Sequence, residues 1–202
     1  MLLSGQQCDP TGIPTAYLLR GFPSHARHRL GETDRVSTNP ELRYNTWTPA
    51  PTMNVYAPHD LTQNLLDGAA VAVLGFGNQG HAHALNLRDS GARVVVGARR
   101  GGSGWESAVR FGFEVLPIAE ATARAGVVVM LLPDEIQASV FATEVAPALR
   151  EGAAVVFAHG FAVAFDGVKP AGAHDVVLVA PKGQGHFLRR EYEAGRSIPC
   201  LL

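Results

Sequence analysis

Cysteine, lysine and long apolar runs are all scarce in this sequence. The two cysteines, Cys8 and Cys200, lie near opposite ends of the 202 residues. They offer neither a disulfide framework nor a zinc-ligand spacing, and a reducing, cytoplasmic setting is the expectation. The apolar run 127–132 is not exceeded in length anywhere in the chain. It falls far short of the roughly 20 residues that span a bilayer, which excludes a membrane helix. An excess of charge is missing too: 17 basic residues face 18 acidic ones, for a formal net charge of -1. Electrostatics therefore gives no case for nucleic acid or an anionic membrane as partner. Lysine is represented only by Lys169 and Lys182, a skew that fits compositional bias better than function. What is abundant is apolar material. With 47% hydrophobic and 17% charged residues, a sizeable core can form and disorder of the whole chain is excluded. The length suits one full domain plus a remainder, at roughly 150 residues per domain.

The remainder is at the start. Residues 1–52 hold six of the 13 prolines and no lysine. No window there keeps a helical or strand period, and proline at this density interrupts both. The expectation is an irregular, largely disordered extension. A secretory signal needs a basic start and about 7 to 15 continuous apolar residues, and neither is present. Five arginines leave room for organellar import, which Asp9, Glu32, Asp34 and Glu41 weaken. Met53 follows directly, and a true start there explains an unstructured leader equally well.

From Met53 the pattern becomes regular. Apolar runs at 71–74, 93–99, 127–132, 153–158 and 176–180 lack polar alternation, as expected of strands buried on both faces of a parallel sheet. Helical stretches at 81–90, 103–111 and 118–125 each stop at a glycine. A fourth opens at Asp134, read as an N-cap, and reaches residue 150, with a kink or early stop at Pro147. The run Arg189-Arg190-Glu191 reads as a solvated helix face, and Trp105 and Phe111 read as core. This alternation predicts an α/β domain over 53–202, a Rossmann-type doubly wound parallel sheet with right-handed crossovers.

Gly75-x-Gly77-x-x-Gly80 follows the first strand and opens the first helix. In that context Gly75 makes the tight turn, Gly77 lets backbone approach a pyrophosphate, and Gly80 lets the helix pack on the strand. The helix N-terminus then offers free amides and a positive dipole end to a diphosphate. The next strand ends at Arg99-Arg100, where NAD binders carry an acidic residue. Arginine suits a 2′-phosphate instead, so NADP is favoured over NAD, with Ser103 adding a hydroxyl. His81 and His83 stand two apart on a helix and point to different faces, which argues against a shared metal. His159 falls at the carboxyl end of the fourth run, where open sheets bind ligands, and reads equally as a site residue or as a hydrogen-bonded strand-closing histidine. Lys182 lies on the same edge.

The strings GFGNQGHAHAL (75–85), LPDEIQ (132–137), FAHGF (157–161) and VAPKGQGH (179–186) together resemble the NADPH-binding N-terminal domain of ketol-acid reductoisomerase. The resemblance covers about three quarters of the chain. It implies an NADPH- and magnesium-dependent oxidoreductase of valine and isoleucine synthesis that converts 2-acetolactate or 2-aceto-2-hydroxybutyrate to a dihydroxy acid. It places Phe76, Gly77, Asn78 and Gln79 along the cofactor diphosphate, Arg99 at the 2′-phosphate, and Asp134, Glu135, Ile136, Gln137 and Gly185 at further cofactor contacts. It makes His159 the catalytic residue and sets Lys182 beside substrate and metal. Two serines of the family's phosphate loop correspond to Gly102 and Gly104, with Arg100 as a second cation. The family's all-helical domain, which supplies the acidic magnesium ligands, has no counterpart before Leu202. The expectation is a cofactor domain that binds NADPH with little activity alone, in a homo-oligomer or with a helical-domain partner. The alternatives are a non-catalytic fragment and another NADP-dependent dehydrogenase with His159 as proton donor.

Overall fold

The computed structural model describes Leu66 and residues 69–202, apart from 166, 171 and 173. The extension expected over 1–52, the start at Met53 and Cys8 lie outside the described residues. The elements run β1 (Ala70–Leu74), α1 (Asn78–Asp89), β2 (Arg93–Gly97), α2 (Ser103–Arg110), β3 (Glu114–Leu116), α3 (Ile118–Arg124), β4 (Val127–Met130) and α4 (Asp134–Val140). Then follow β5 (Ala154–Phe157), α5 (Phe161–Ala164), β6 (Asp175–Leu178), β7 (Ala180–Pro181), α6 (Gly185–Glu193) and β8 (Cys200–Leu201).

Six strands form one sheet in the order β3-β2-β1-β4-β5-β6, every neighbouring pair parallel. This is the expected doubly wound order, and its direction reverses between β1 and β4, where such sheets hold dinucleotides. The apolar runs explain the strands. Residues of β1, β4 and β5 alternate between two cores because successive side chains point to opposite faces. Val71, Val73, Val127, Val129, Ala154 and Val156 pack under α1 with Ala84, Leu85 and Leu87. Ala72, Leu74, Val128, Met130, Val155 and Phe157 pack with Ile118, Ala121, Phe141 and Val145 on the other side.

Several elements depart from the sequence pattern. Strand β3 is three residues long, too short to show a period. The run at 93–99 ends as a strand at Gly97, where a Cβ would meet Ala121 and the Leu74 side chain. The run at 176–180 is not buried on both faces. It is the outer strand, Val176 and Leu178 face solvent at 47% and 37% exposure, and its last residues leave the sheet to pair antiparallel with β8. The helix from residue 134 passes into a π-helical turn (Phe141–Val145) and a 3-10 turn (Ala146–Ala148). Pro147 sits in that last turn and has no N–H to continue an α-helical ladder. Asp134 is not the N-cap. Pro133 holds that position, and Asp134 is the first helical residue. Phe111 is 44% exposed rather than core. Arg189 and Glu191 are not on a solvated face. Arg189 reaches back to α1, donating to Asn86 Oδ1 at 3.0 Å and Asp89 Oδ2 at 2.6 Å, while Glu191 is shielded under Arg196.

Phe157 is 2% exposed in the second core. Phe157→Ala is expected to lower stability by about 3–5 kcal/mol, through lost burial and the cavity left behind. Urea denaturation followed by circular dichroism measures it, and a loss below about 1 kcal/mol contradicts this packing.

Candidate functional site

Backbone geometry builds the turn after β1. Gly75 has φ +94°, and a Cβ there would approach Leu131 O at 2.7 Å. A Cβ on Gly80 would overlap the carbonyl of Gly75. Both positions therefore exclude any side chain, and α1 crosses the end of β1 in close contact. Gly77 faces open space. It is the N-cap residue, and no side chain caps the helix. The first helical bond runs from His81 N–H to Gly77 O at 2.9 Å, so the amides of Asn78, Gln79 and Gly80 begin the helix without helical acceptors. This is a cradle that fits a diphosphate.

Most of the side chains brace the cradle instead of lining it. Phe76 is buried and meets the rings of His81, Phe111 and Phe113 with centroids 5.5 to 6.0 Å away. Gln79 Nε2 donates to Gly183 O at 2.9 Å. Gly185 is buried at the start of α6, where a Cβ would overlap Asn78 O. That glycine is needed for packing: it lets the chain after Lys182 sit directly on the cradle. Arg189 secures the far end of the same helix through its bonds to α1 and to Glu193 at 2.9 Å.

Beyond β2, Arg99 is exposed and makes no ion pair among the described residues. Arg100 is partly engaged, 3.9 Å from Glu120 and stacked 5.4 Å over the Trp105 ring. Ser103 is exposed as the first residue of α2. Gly104 brings this loop against Phe76, a Cβ there lying 3.6 Å from the Phe76 nitrogen. The loop expected to meet a 2′-phosphate thus adjoins the diphosphate cradle.

The ends of β4 and β5 carry the remaining residues. His159 and Asp134 pair across them, Nε2 to Oδ1 at 2.9 Å, both about half exposed. His159 is thus hydrogen-bonded and exposed at the carboxyl edge of the sheet. Gln137 is 3% exposed, and its Nε2 donates to Leu132 O at 2.8 Å and Asp134 Oδ1 at 3.3 Å. Glu135 and Ile136 are exposed on the first turn of α4, and Lys182 is exposed just past β7. Among the described residues no group of three or more His, Cys, Asp or Glu is placed to hold a metal. The residues present do not fit a magnesium ion. His81 and His83 also diverge: His81 joins the aromatic cluster, its ring 4.7 Å from that of Phe111, and His83 turns toward the sheet.

Residues 65–202 match the family model described as acetohydroxy acid isomeroreductase, NADPH-binding domain. The chain belongs to this family. It is 51% identical over 148 residues to ketol-acid reductoisomerase (NADP(+)) 2 of Bifidobacterium longum (strain NCC 2705), a match covering 73% of the chain and 42% of that relative. It also superposes on the structure of an NADH-preferring ketol-acid reductoisomerase from an uncultured archaeon. That match has a TM-score of 0.70 and 38% identity, and covers 73% of the chain and 46% of that protein. The chain therefore spans less than half the length of either relative. A 3-hydroxyisobutyrate dehydrogenase of Mycobacterium tuberculosis is 22% identical with a TM-score of 0.50 over 61% of the chain and 44% of that protein, a likeness of fold alone.

Sequence spacing did not show that His83 has a buried edge. Among the described residues its Nε2 has no hydrogen-bond partner, and it borders an apolar recess of about 10 Å³ formed by Leu87, Val129, Leu131, Val156, Ala158 and Val179. Loss of hydration pushes the imidazole pKa from 6.5 down to about 4. Above pH 6.5 both folded and unfolded chains hold it neutral, so it has no effect on stability there. As pH falls from 6.5 to about 4, the unfolded chain takes up the proton first and stability drops, by up to about 3 kcal/mol. His83→Met is expected to remove this acid-dependent loss. Urea midpoints measured across that range check it, and a wild-type-to-variant difference that stays constant with pH overturns it.

Proposed function

We propose that this chain binds NADPH and is the cofactor domain of a ketol-acid reductoisomerase of valine and isoleucine synthesis. The substrates would be 2-acetolactate or 2-aceto-2-hydroxybutyrate. The observation that carries this is the uncapped N-terminus of α1, held against the sheet at its β1/β4 reversal by two positions that exclude side chains. Bound NADPH supplies the hydride. The amides of Asn78, Gln79 and Gly80 hold its diphosphate, and the α1 dipole favours the negative charge. Arg99, which makes no ion pair among the described residues, holds the 2′-phosphate with Ser103 beside it, and Arg100 adds a second positive charge. Glu135 and Ile136 flank the cofactor from α4. His159 and Lys182 stand at the same carboxyl edge, facing the substrate.

Magnesium ligands are to be sought outside the described residues. We place them in a helical domain, carried by a longer chain or by a partner, and expect this chain alone to bind cofactor with little isomeroreductase activity. A cytoplasmic location accords with the two separated cysteines.

The test is a titration followed by NADPH fluorescence. A saturable change is expected, with NADH binding more weakly. Arg99→Ala should weaken NADPH about 10- to 100-fold, the worth of one or two charge-assisted bonds, and NADH far less. No saturable change with NADPH sinks the proposal, and equal losses for both cofactors remove Arg99 from the phosphate site.

A further inference from the structure

The Asp134–His159 pair has a more specific geometry than an ordinary surface ion pair. Both partners are about half exposed, and such a pair adds little to stability. Yet its carboxylate is aimed from below. Gln137, buried one turn along α4, is fixed to Leu132 O at 2.8 Å and donates to the same Asp134 oxygen that meets the histidine. The imidazole is also constrained at its other nitrogen. The backbone N–H of Phe161 points to Nδ1 at 3.4 Å, which requires Nδ1 to carry a lone pair. The carboxylate requires a proton on Nε2. The two contacts lie on opposite edges of the ring and demand the same neutral tautomer.

We infer that Asp134 is a positioning residue for His159. It holds the ring with Nε2–H on its carboxylate and leaves Nδ1 as the working nitrogen. The Phe161 contact on that side is long and is readily given up to a ligand. A proton accepted at Nδ1 from a substrate hydroxyl leaves its bonding electron pair on that oxygen. The resulting imidazolium keeps Nε2–H toward Asp134, whose negative charge offsets the new positive one. Return of the proton to the same oxygen, or to another, restores the neutral ring. The same logic holds wherever a carboxylate orients a catalytic imidazole. This role differs from a cofactor contact for the Asp134 side chain, because the oxygen nearest His159 is already committed to histidine and Gln137.

The inference rests on the proposed function for its substrate, but its geometry is testable without one. Imidazole ¹⁵N spectra of the full chain, with the His159 signals assigned through His159→Gln, report which nitrogen is protonated in the neutral ring. Wild type should show Nε2–H alone, with that proton protected from exchange. Asp134→Ala removes the acceptor, so the Nε2 proton should lose its protection from exchange and the Nδ1–H population should rise. Asp134→Glu should restore Nε2–H. An unchanged tautomer and unchanged protection in Asp134→Ala overturn the inference. So does Nδ1–H as the main form in wild type, a result that needs no folded variant. The NADPH titration stands apart from these spectra, so failure of cofactor binding and failure of the pair are told apart.

Discussion

The structure depends on one close backbone approach, where α1 crosses the end of β1 with Gly80 seated on the carbonyl of Gly75. No side chain fits between them, and Leu131, just past β4, closes the turn from the other side. That contact fixes the helix axis over the sheet edge and turns its uncapped amides outward at the β1/β4 reversal. A second approach is stacked on it. Gly185 brings α6 down onto Asn78, so the chain around Lys182 is positioned by the cradle itself. Cofactor loop and lysine segment thus form one packed unit, tied by the Gln79 amide and the Gly183 carbonyl.

This arrangement lets the chain prepare a place for a strongly anionic ligand with little cationic side chain nearby. The diphosphate would be met by backbone dipoles, which are never deprotonated and need no burial of a full charge. Side chains near the loop are then free to serve as packing. Phe76 is engaged in the aromatic cluster and Gln79 at the Gly183 carbonyl. A full positive charge is needed only where a 2′-phosphate would lie, and on the adjoining loop Arg99 makes no ion pair among the described residues. The near absence of lysine is no obstacle to this design.

The sequence revealed most where periodicity and steric need coincide. Strands β1, β4 and β5 are unbroken apolar runs because both faces are covered, and Gly75 and Gly80 are glycine because nothing else fits. Other features depend on partners far along the chain. Arg189 looked like a solvated charge because its acceptors, Asn86 and Asp89, lie on the first helix. Val176 and Leu178 looked like core because a run of apolar residues does not say whether its strand is the outer one. Strand β3 was hidden by its length. The Asp134–His159 pair needed the strand order: only once β4 and β5 are neighbours do the residues after them meet. Resemblance ties Gln79 and Gly185 to the cofactor, and the structure shows each bracing the turn after β1.

Two histidines show how water governs charge along this edge. His83 has its Nε2 against apolar side chains, and dehydration alone drives its pKa down. His159 stands two residues past β5, in reach of solvent, with a carboxylate on one side and a backbone amide on the other. A charge formed on the first has nothing to offset it, whereas a charge formed on the second meets both water and Asp134. The interior beneath the edge is thereby reserved for neutral groups.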